Sequence, residues 1–167
     1  MNLFLLRHGL AVEHGAPGFE NDADRPLTPK GKRQLRDTCR ALRSMKLHFE
    51  LILSSPLLRA RQTAEIVAKQ LKCKRRLHFS DALQPGGEPK RLIADLNRAG
   101  PASKDVLLVG HEPDLSRLIS LLVTGGPGLQ MDFKKGGLCK LEAEELRAGQ
   151  CAILVWLLTP KQMKRIG

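Results

Sequence analysis

The sequence predicts an α/β fold: a three-layer α/β/α sandwich with a mostly parallel central sheet and an antiparallel edge strand. Short apolar segments alternate with amphipathic segments along the 167 residues, and this alternation is typical of parallel sheets covered by helices on both faces. The last two apolar segments, residues 138–143 and 151–158, have no helical pattern between them, so they predict an antiparallel pair at one edge. This length is typical of one domain, so we expect residues 1–167 to fold as one unit.

Each predicted strand is a short run of apolar residues, which is expected for strands that are buried on both faces. Each predicted helix has apolar residues three and four positions apart, and Thr28 before Pro29 is a typical helix start. In chain order the predicted elements are strand 2–6, helix 29–45, strand 51–53, helix 57–71, a weak strand 76–79, helix 88–98, strand 106–109, helix 114–123, strand 138–143 and strand 151–158.

Turn residues separate these elements. Residues 13–27 form a long loop that contains Pro, Gly, Asn and Asp, and residues 85–87 are a Pro-Gly-Gly turn. Residues 124–128, with three glycines and a proline, end the helical pattern before the last two strands. The long first loop is acidic and is expected to form a rim or lid over a pocket, since long loops are often functional; its acidic residues are Glu13, Glu20, Asp22 and Asp24.

The composition favours an anionic partner and gives little support for single-stranded nucleic-acid binding. The formal net charge is +11, which suits a phosphorylated or polyanionic partner, whereas aromatic residues make up only 4% of the chain and tyrosine is absent. Two alternatives remain open for the basic groups, a solvated face or a docking surface for an acidic phosphoprotein domain. The basic groups lie on one face of the predicted helix 29–45 and in a second cluster, Lys72, Lys74, Arg75 and Arg76.

The cysteines and the apolar segments predict a soluble, cytoplasmic protein. No two cysteines form a C-x-x-C pair, so we expect free thiols in a reducing compartment rather than a metal or redox motif. The four are Cys39, Cys73, Cys139 and Cys151. The apolar stretch before Arg7 is too short for a signal sequence, and the longest apolar run, residues 151–158, is far below the roughly 20 residues of a membrane span.

Basic and imidazole side chains follow three of the predicted strands. Arg7 and His8 follow the first strand, Arg59 lies shortly after the second, and His111 follows strand 106–109. Ligands of open α/β sheets bind outside the carboxyl ends of the strands, so we expect these four side chains to share one pocket. Two guanidinium groups suit a phosphate, and an imidazole can attack phosphorus and carry the phosphoryl group.

Three motifs at these positions resemble those of the histidine phosphatase superfamily, the group that includes phosphoglycerate mutase. Residues 6–9 (Leu-Arg-His-Gly) are similar to its first motif, residues 53–64 (LSSPLLRARQTA) to its second and residues 109–113 (Val-Gly-His-Glu-Pro) to its third. The short length, the third motif and the run Arg-Pro-Leu-Thr-Pro-Lys-Gly at 25–31 are more similar to SixA-type phosphohistidine phosphatases than to the larger mutases. The resemblance covers roughly residues 2–160.

The resemblance implies a metal-independent phosphatase without a cofactor. By this resemblance His8 is the nucleophile that becomes phosphohistidine, and Arg7, Arg59 and His111 hold the phosphoryl oxygens. The implied substrate is phosphohistidine in a protein, such as a histidine phosphotransfer domain, or a small phosphorylated molecule; neither a membrane nor nucleic acid is expected as a partner. For attack, one ring nitrogen of His8 must be unprotonated, while the other is expected to donate to a backbone carbonyl.

The chain departs from the mutase pattern at the general acid. Where mutases have a glutamate that protonates the leaving oxygen, this chain offers Asp81, the candidate general acid, and no glutamate before Glu88. A solvated turn residue is the alternative for Asp81. An alkoxide needs an acid, typically worth about 10²–10⁴ in rate, whereas the imidazole of a phosphoramidate is easier to protonate. A weak acid therefore favours phosphohistidine, or an activated phosphoester, over a sugar phosphate.

Two other functions stay open at this point: a small-molecule phosphomonoesterase of the same superfamily, and a non-catalytic module that binds phosphate or nucleic acid. Glu112 either tunes His111 or acts in the first turn of the following helix. Arg61 is expected on the surface. The remaining histidines have no motif around them and are also expected on the surface or at its boundary; they are His14, His48 and His78.

Overall fold

The computed structural model describes residues 1–99 and 104–167, with six strands and five α-helices in these ranges. The predicted elements are all present, with ends that differ by at most one residue. Their bounds are β1 Asn2–Arg7, α1 Pro29–Ser44, β2 Leu51–Ser54, α2 Leu58–Gln70, β3 Leu77–Phe79, α3 Pro89–Ala99, β4 Asp105–Gly110, α4 Asp114–Thr124, β5 Leu138–Ala143, β6 Ala152–Leu158 and α5 Pro160–Ile166.

The six strands form one sheet in the order β3-β2-β4-β1-β5-β6. The first four are parallel to one another, with β4 and β1 at the centre. β5 pairs antiparallel with β1, and β6 pairs antiparallel with β5. The predicted fold class, a mostly parallel sheet with an antiparallel edge, is confirmed.

Helices cover both faces of the sheet, and alternate residues of β1 show how the two cores are divided. Leu3 and Leu5 pack with apolar residues of α3 and α4, whereas Phe4 and Leu6 pack with those of α1, α2 and α5. Strand side chains point alternately to the two faces, so a continuous apolar strand supplies both cores. The three-layer arrangement places the carboxyl ends of β1, β2 and β4 at the same edge.

The C-terminal helix α5 is the one α-helix among the described residues that the sequence analysis did not predict. Thr159 accepts a hydrogen bond from the Gln162 backbone, and the Gln162 side chain accepts one from the Thr159 backbone, which forms a capping box. Met163 is fully buried in the same core as α1 and α2. The Thr-Pro-x-Gln sequence of residues 159–162 was the signal available for this helix.

The four cysteines have free thiols, as predicted. Burial raises the pKa of Cys39 and of Cys139 to about 12, so these two thiols remain protonated. Among the helices of residues 1–99 and 104–167, none combines the length and apolar character needed to cross a membrane.

Candidate active site

Backbone hydrogen bonds join the ends of β1, β2 and β4. The His8 N–H donates to the Gly110 carbonyl at 3.1 Å, and the Ser55 N–H donates to the Val109 carbonyl at 2.9 Å. From the other side, the Gly136 N–H donates to the carbonyls of Arg7 and His8, both at 3.0 Å. The residues that follow these three strands are therefore held next to one another by main-chain contacts.

His8 is buried, and a carbonyl oxygen determines its tautomer. Its side chain Nδ1 lies 2.8 Å from the Gly9 carbonyl oxygen, which only accepts hydrogen bonds, so Nδ1 carries the proton. Burial lowers the pKa of His8 to about 3. The hydrogen bond to Gly9 opposes this shift, whereas His111 and the two nearby arginines add to it. Nε2 of His8 is consequently unprotonated at neutral pH and has a lone pair available for attack.

His111 lies beside His8, with the two ring centroids 5.1 Å apart. Nε2 of His111 is 2.8 Å from the Ser55 hydroxyl oxygen, which already accepts from the Leu57 N–H at 3.3 Å. The Ser55 hydroxyl can donate its proton to Nε2, and in that tautomer the ring proton of His111 is on Nδ1. Burial first and the charge of Arg59 second lower the pKa of His111 to about 3, so this ring is also neutral.

Arg59 lies in the first turn of α2 and is only 4% exposed. Its Nη1 donates to the Asp22 carbonyl at 2.7 Å, and its Nη2 donates to the Asp22 carboxylate at 2.9 Å. Burial lowers the pKa of Arg59, whereas the Asp22 carboxylate raises it. The acidic first loop therefore lies against the site, as expected of a rim.

Asp22 also pairs with Arg25 in the same loop, at 2.6 Å. Partial burial alone raises the pKa of Asp22, but the hydrogen bond from Arg25 and the charge and hydrogen bond of Arg59 lower it overall. The carboxylate is thus ionised at neutral pH. One negative charge therefore sits between two guanidinium groups at the edge of the site.

Arg7 is anchored from the loop that precedes β5. Its Nη1 donates to the Phe133 carbonyl at 2.6 Å, and Phe133 is itself buried. Burial lowers the pKa of Arg7, whereas the charges of Glu112 and Asp132 raise it. The arginine is thus held in place by a backbone carbonyl more than a hundred residues away in sequence.

Buried hydrogen-bond donors without partners concentrate at this site. Within the described residues, four buried side-chain atoms have no hydrogen-bond partner, and three of them are Nε of Arg7, Nε of Arg59 and Nδ1 of His111. All three are donors, and buried donors are normally satisfied. A tetrahedral oxyanion accepts several hydrogen bonds at once, so the arrangement suits a phosphoryl group next to Nε2 of His8.

Sequence reasoning did not single out Thr63, although it lies within the second motif. Its hydroxyl accepts from the Gly9 N–H at 3.1 Å and donates to the Arg59 carbonyl at 2.7 Å. Thr63 is fully buried, so it links the segment after β1 to the helix that carries Arg59. Asp22 and Phe133 were not assigned contacts with the arginines either, because no local pattern identifies a partner distant in sequence.

The other candidate residues lie outside this cluster of contacts. Asp81 is exposed and accepts a hydrogen bond from the Gln84 side chain at 2.6 Å. Glu112 accepts from the Ser116 N–H at 3.1 Å, in the first turn of α4, which favours the second of its two predicted roles. Arg61 is on the surface and pairs with Glu65. The remaining histidines are exposed, as predicted: His14, His48 and His78.

Across residues 1–99 and 104–167, no group of three or more His, Cys, Asp or Glu side chains is placed to hold a metal ion. The positive charge at the site comes from guanidinium groups. These guanidinium groups and the unprotonated Nε2 of His8 suit oxyanion binding combined with attack by an uncharged imidazole.

The sequence is similar to a known family and to known proteins. The model of the family described as "Histidine phosphatase superfamily (branch 1)" matches residues 3–84. The chain is 34% identical over 128 residues to the phosphohistidine phosphatase SixA of Escherichia coli, with 75% of this chain and 76% of that protein covered. It is 38% identical over 165 residues to an uncharacterized protein of Picosynechococcus sp., with coverage of 96% and 98% respectively.

The fold is also similar to that of solved structures. A structure of the protein histidine phosphatase SixA complexed with tungstate superposes with a TM-score of 0.83 at 28% identity. The superposition covers 96% of this chain and 98% of that one, so the likeness extends over the whole fold.

Proposed function

The chain belongs to the histidine phosphatase superfamily, and from this premise we propose that it hydrolyses phosphohistidine in a protein through a phosphohistidine intermediate on His8. The observation that carries the proposal is the state of His8. Its Nδ1 donates to the Gly9 carbonyl and its Nε2 is unprotonated, next to the unpartnered donors of Arg7, Arg59 and His111. This combination supports the assignment of a nucleophile beside an oxyanion site.

In the first step, Nε2 of His8 attacks phosphorus while the bond between phosphorus and the substrate imidazole nitrogen breaks. The substrate nitrogen keeps the electron pair of the broken bond and takes up a proton from water or from Asp81. Arg7, Arg59 and His111 donate hydrogen bonds to the equatorial oxygens, where negative charge is spread in the transition state. The Gly9 carbonyl stabilises the Nδ1 proton as the ring becomes phosphorylated and positively charged.

In the second step, a water oxygen attacks phosphorus and the bond to Nε2 of His8 breaks. The electron pair returns to Nε2, the water protons pass to phosphate and solvent, and inorganic phosphate leaves. The low pKa of His8 makes its ring a good leaving group in this step, because the free ring is stable without a proton on Nε2.

The substrate class follows from the weakness of the candidate acid. Asp81 is exposed and bonded to Gln84, which suits a solvated carboxylate better than a proton donor held above an alkoxide. We therefore expect phosphohistidine turnover to exceed that of sugar phosphates, and equal rates on both would contradict the proposed substrate. The name of the Escherichia coli relative and the tungstate in the SixA structure support a phosphohistidine substrate and an oxyanion site, respectively.

The proposal treats residues 1–167 as one histidine phosphatase domain that acts in the cytoplasm on a phosphorylated signalling protein. The free thiols suit a reducing compartment. The superposition on the SixA structure covers 96% of this chain and 98% of that one, which supports one domain.

The test uses a ³²P-labelled phosphohistidine peptide, with para-nitrophenyl phosphate alongside. We expect the wild type to hydrolyse the peptide and to acquire a label that is stable to base and lost in acid, as expected of phosphohistidine. His8→Ala should abolish both the label and turnover.

The matched control is His48→Ala, because His48 is exposed and precedes the amino end of β2, whereas the site lies at the carboxyl end of that strand. This variant should keep the label and the rate. A wild-type protein that binds phosphate but neither becomes labelled nor turns over either substrate would instead be the non-catalytic binding module.

A further inference from the structure

The net charge of the protein resides in one segment. Residues 29–76 contain 14 Lys and Arg and three Asp and Glu, so they carry a net charge of +11, equal to that of the whole chain. The rest of the chain contains 14 basic and 14 acidic residues and is neutral in sum. The positive charge is thus concentrated on α1, α2 and the turn that follows α2.

Two adjoining depressions on the surface gather part of this charge. A groove of about 420 Å³ between α1 and α2 is lined by Lys32, Arg36 and Lys69, with Ile66 contributing apolar surface. A second depression of about 510 Å³ lies beyond the end of α2 and shares Lys69. We call the two together the basic surface; its basic residues are Lys32, Arg36, Lys69, Lys72, Lys74, Arg75 and Arg76.

Little negative charge opposes these cations. Glu65, the acidic residue that lines the groove, pairs with Arg61 at 2.9 Å. Within the ranges that the structure describes, Lys32, Arg36 and Lys69 have no acidic side chain within 4.0 Å. Cations left without partners at a surface produce a field that attracts acidic groups.

The basic surface begins close to the active site. Gln62 lines the groove and accepts a hydrogen bond from the Leu27 N–H at 2.8 Å, at the base of the acidic loop. Gln62 lies one turn of α2 after Arg59, whose guanidinium faces Asp22. Because α1 and α2 both begin at the edge of the sheet that carries His8, the groove leads from this edge along the two helices.

We propose that the basic surface docks an acidic protein whose phosphohistidine enters the active site. The proposal rests on the proposed function, since it supplies the partner that carries the phosphoryl group. Charge complementarity favours an acidic partner, and the apolar surface of Ile66 in the groove suits contact with a protein. Single-stranded nucleic acid fits less well, because Phe49 is the one aromatic residue in 29–76 and it is buried.

The test compares two double charge reversals that change the net charge equally. Arg36→Glu with Lys69→Glu alters the basic surface, and Lys90→Glu with Arg91→Glu alters exposed positions of α3, on the other face of the sheet. The probes are a phosphorylated histidine phosphotransfer domain of net negative charge and a short neutral phosphohistidine peptide, both at low salt. We expect the first variant to lower kcat/KM for the domain about tenfold through KM, and the peptide rate to stay within twofold.

The α3 variant should leave both rates within twofold of the wild type. The proposal is overturned if the α3 variant has the same effect, or if the variant of the basic surface loses activity on the peptide in parallel. Tighter binding of 20-base-pair DNA than of the domain, lost with Arg36→Glu and Lys69→Glu, would assign the surface to nucleic acid instead.

The docking proposal and the proposed function can fail separately. If the wild type hydrolyses neither probe, the proposed function is wrong, and docking is judged by the fluorescence anisotropy of the unphosphorylated domain. Binding that weakens about tenfold in the first variant only would still support docking, and equal binding to all three proteins would exclude it.

Discussion

The two imidazoles at the site have similar pKa values, which burial lowers in both, but their hydrogen-bond partners suit them to different roles. His8 donates from Nδ1 to a carbonyl and leaves Nε2 unprotonated, whereas His111 contacts a serine hydroxyl through Nε2 and leaves Nδ1 as a donor. The group that each ring contacts thus suits His8 to act as a nucleophile and His111 to donate a hydrogen bond to an oxyanion. The sequence identified both histidines, but it did not identify either partner.

Asp22 supplies the counter-charge of buried Arg59, so Asp22→Asn should lower the free energy of unfolding. We expect a loss of about 1–2 kcal/mol. This is less than is typical when one partner of a fully buried ion pair is removed, because the carboxylate is 37% exposed. Inorganic phosphate restores a negative charge beside Arg59, so it should raise the Tm of the variant more than that of the wild type. Thermal unfolding with and without phosphate measures both effects.

Asp24→Asn is the matched control, because Asp24 lies in the same loop, is exposed and contacts Asn21. It should change the unfolding free energy by less than about 0.5 kcal/mol and leave the phosphate shift at the wild-type size. A phosphate shift in Asp22→Asn that is no larger than in the wild type would show that Asp22 does not balance the charge of Arg59.

At the scale of elements, the helices and strands with strong periodicity were predictable and α5 was not. The buried strands are runs of apolar residues, and α1 is capped at its start by Thr28, as predicted, whose side chain accepts from the Gly31 N–H at 3.0 Å. α5 has only seven residues, with one fully buried side chain, Met163. A helix this short gains its stability from packing on α1 and α2 rather than from its own pattern, so a pattern search overlooks it.

The first turn of α1 packs closely on the segment that carries His8, through Gly31. A Cβ at Gly31 would lie 2.1 Å from the carbonyl oxygen of Leu10, two residues after His8, and this same carbonyl accepts from the Thr28 N–H. Because the obstacle is backbone, Gly31→Ala must move the loop or the helix. We expect a loss of about 2–3 kcal/mol in urea unfolding and a lower kcat on the phosphohistidine peptide.

Gly128→Ala serves as the control for this substitution. A Cβ at Gly128 meets no atom within 4 Å, so stability should stay within about 0.5 kcal/mol of the wild type. If Gly31→Ala were as stable and as active as Gly128→Ala, the close approach of α1 to Leu10 would not hold the position of His8.

At the scale of the whole molecule, the buried histidines should make the unfolding free energy depend on pH. Both have a pKa of about 3 in the folded protein, whereas a histidine in the unfolded chain has a pKa near 6.5. Below pH 6.5 the unfolded chain binds protons that the folded protein does not, so stability falls as pH falls and is retained above pH 6.5. From pH 7 to pH 5 we expect a loss of about 2 kcal/mol for each histidine.

Urea unfolding in buffers without phosphate measures this loss. A variant with His8→Asn and His111→Gln should lose most of the pH dependence between pH 7 and pH 5. Proton uptake on unfolding of the wild type at pH 5, followed by calorimetry in two buffers, gives the same answer if that variant does not fold. An unfolding free energy that is equal at pH 7 and pH 5 would contradict the burial of two neutral imidazoles.

The sequence alone determined the alternation of strands and helices, the edge of the sheet at which His8, Arg59 and His111 come together, and the segment that carries the charge. These features follow from local periodicity and from the rule that parallel strands end at one edge. Tertiary structure alone decided which groups hold these side chains: Gly9 for His8, Ser55 for His111 and Asp22 for Arg59. Most such partners are distant in sequence, and their hydrogen bonds form only once packing has fixed the loops, so no local pattern encodes them.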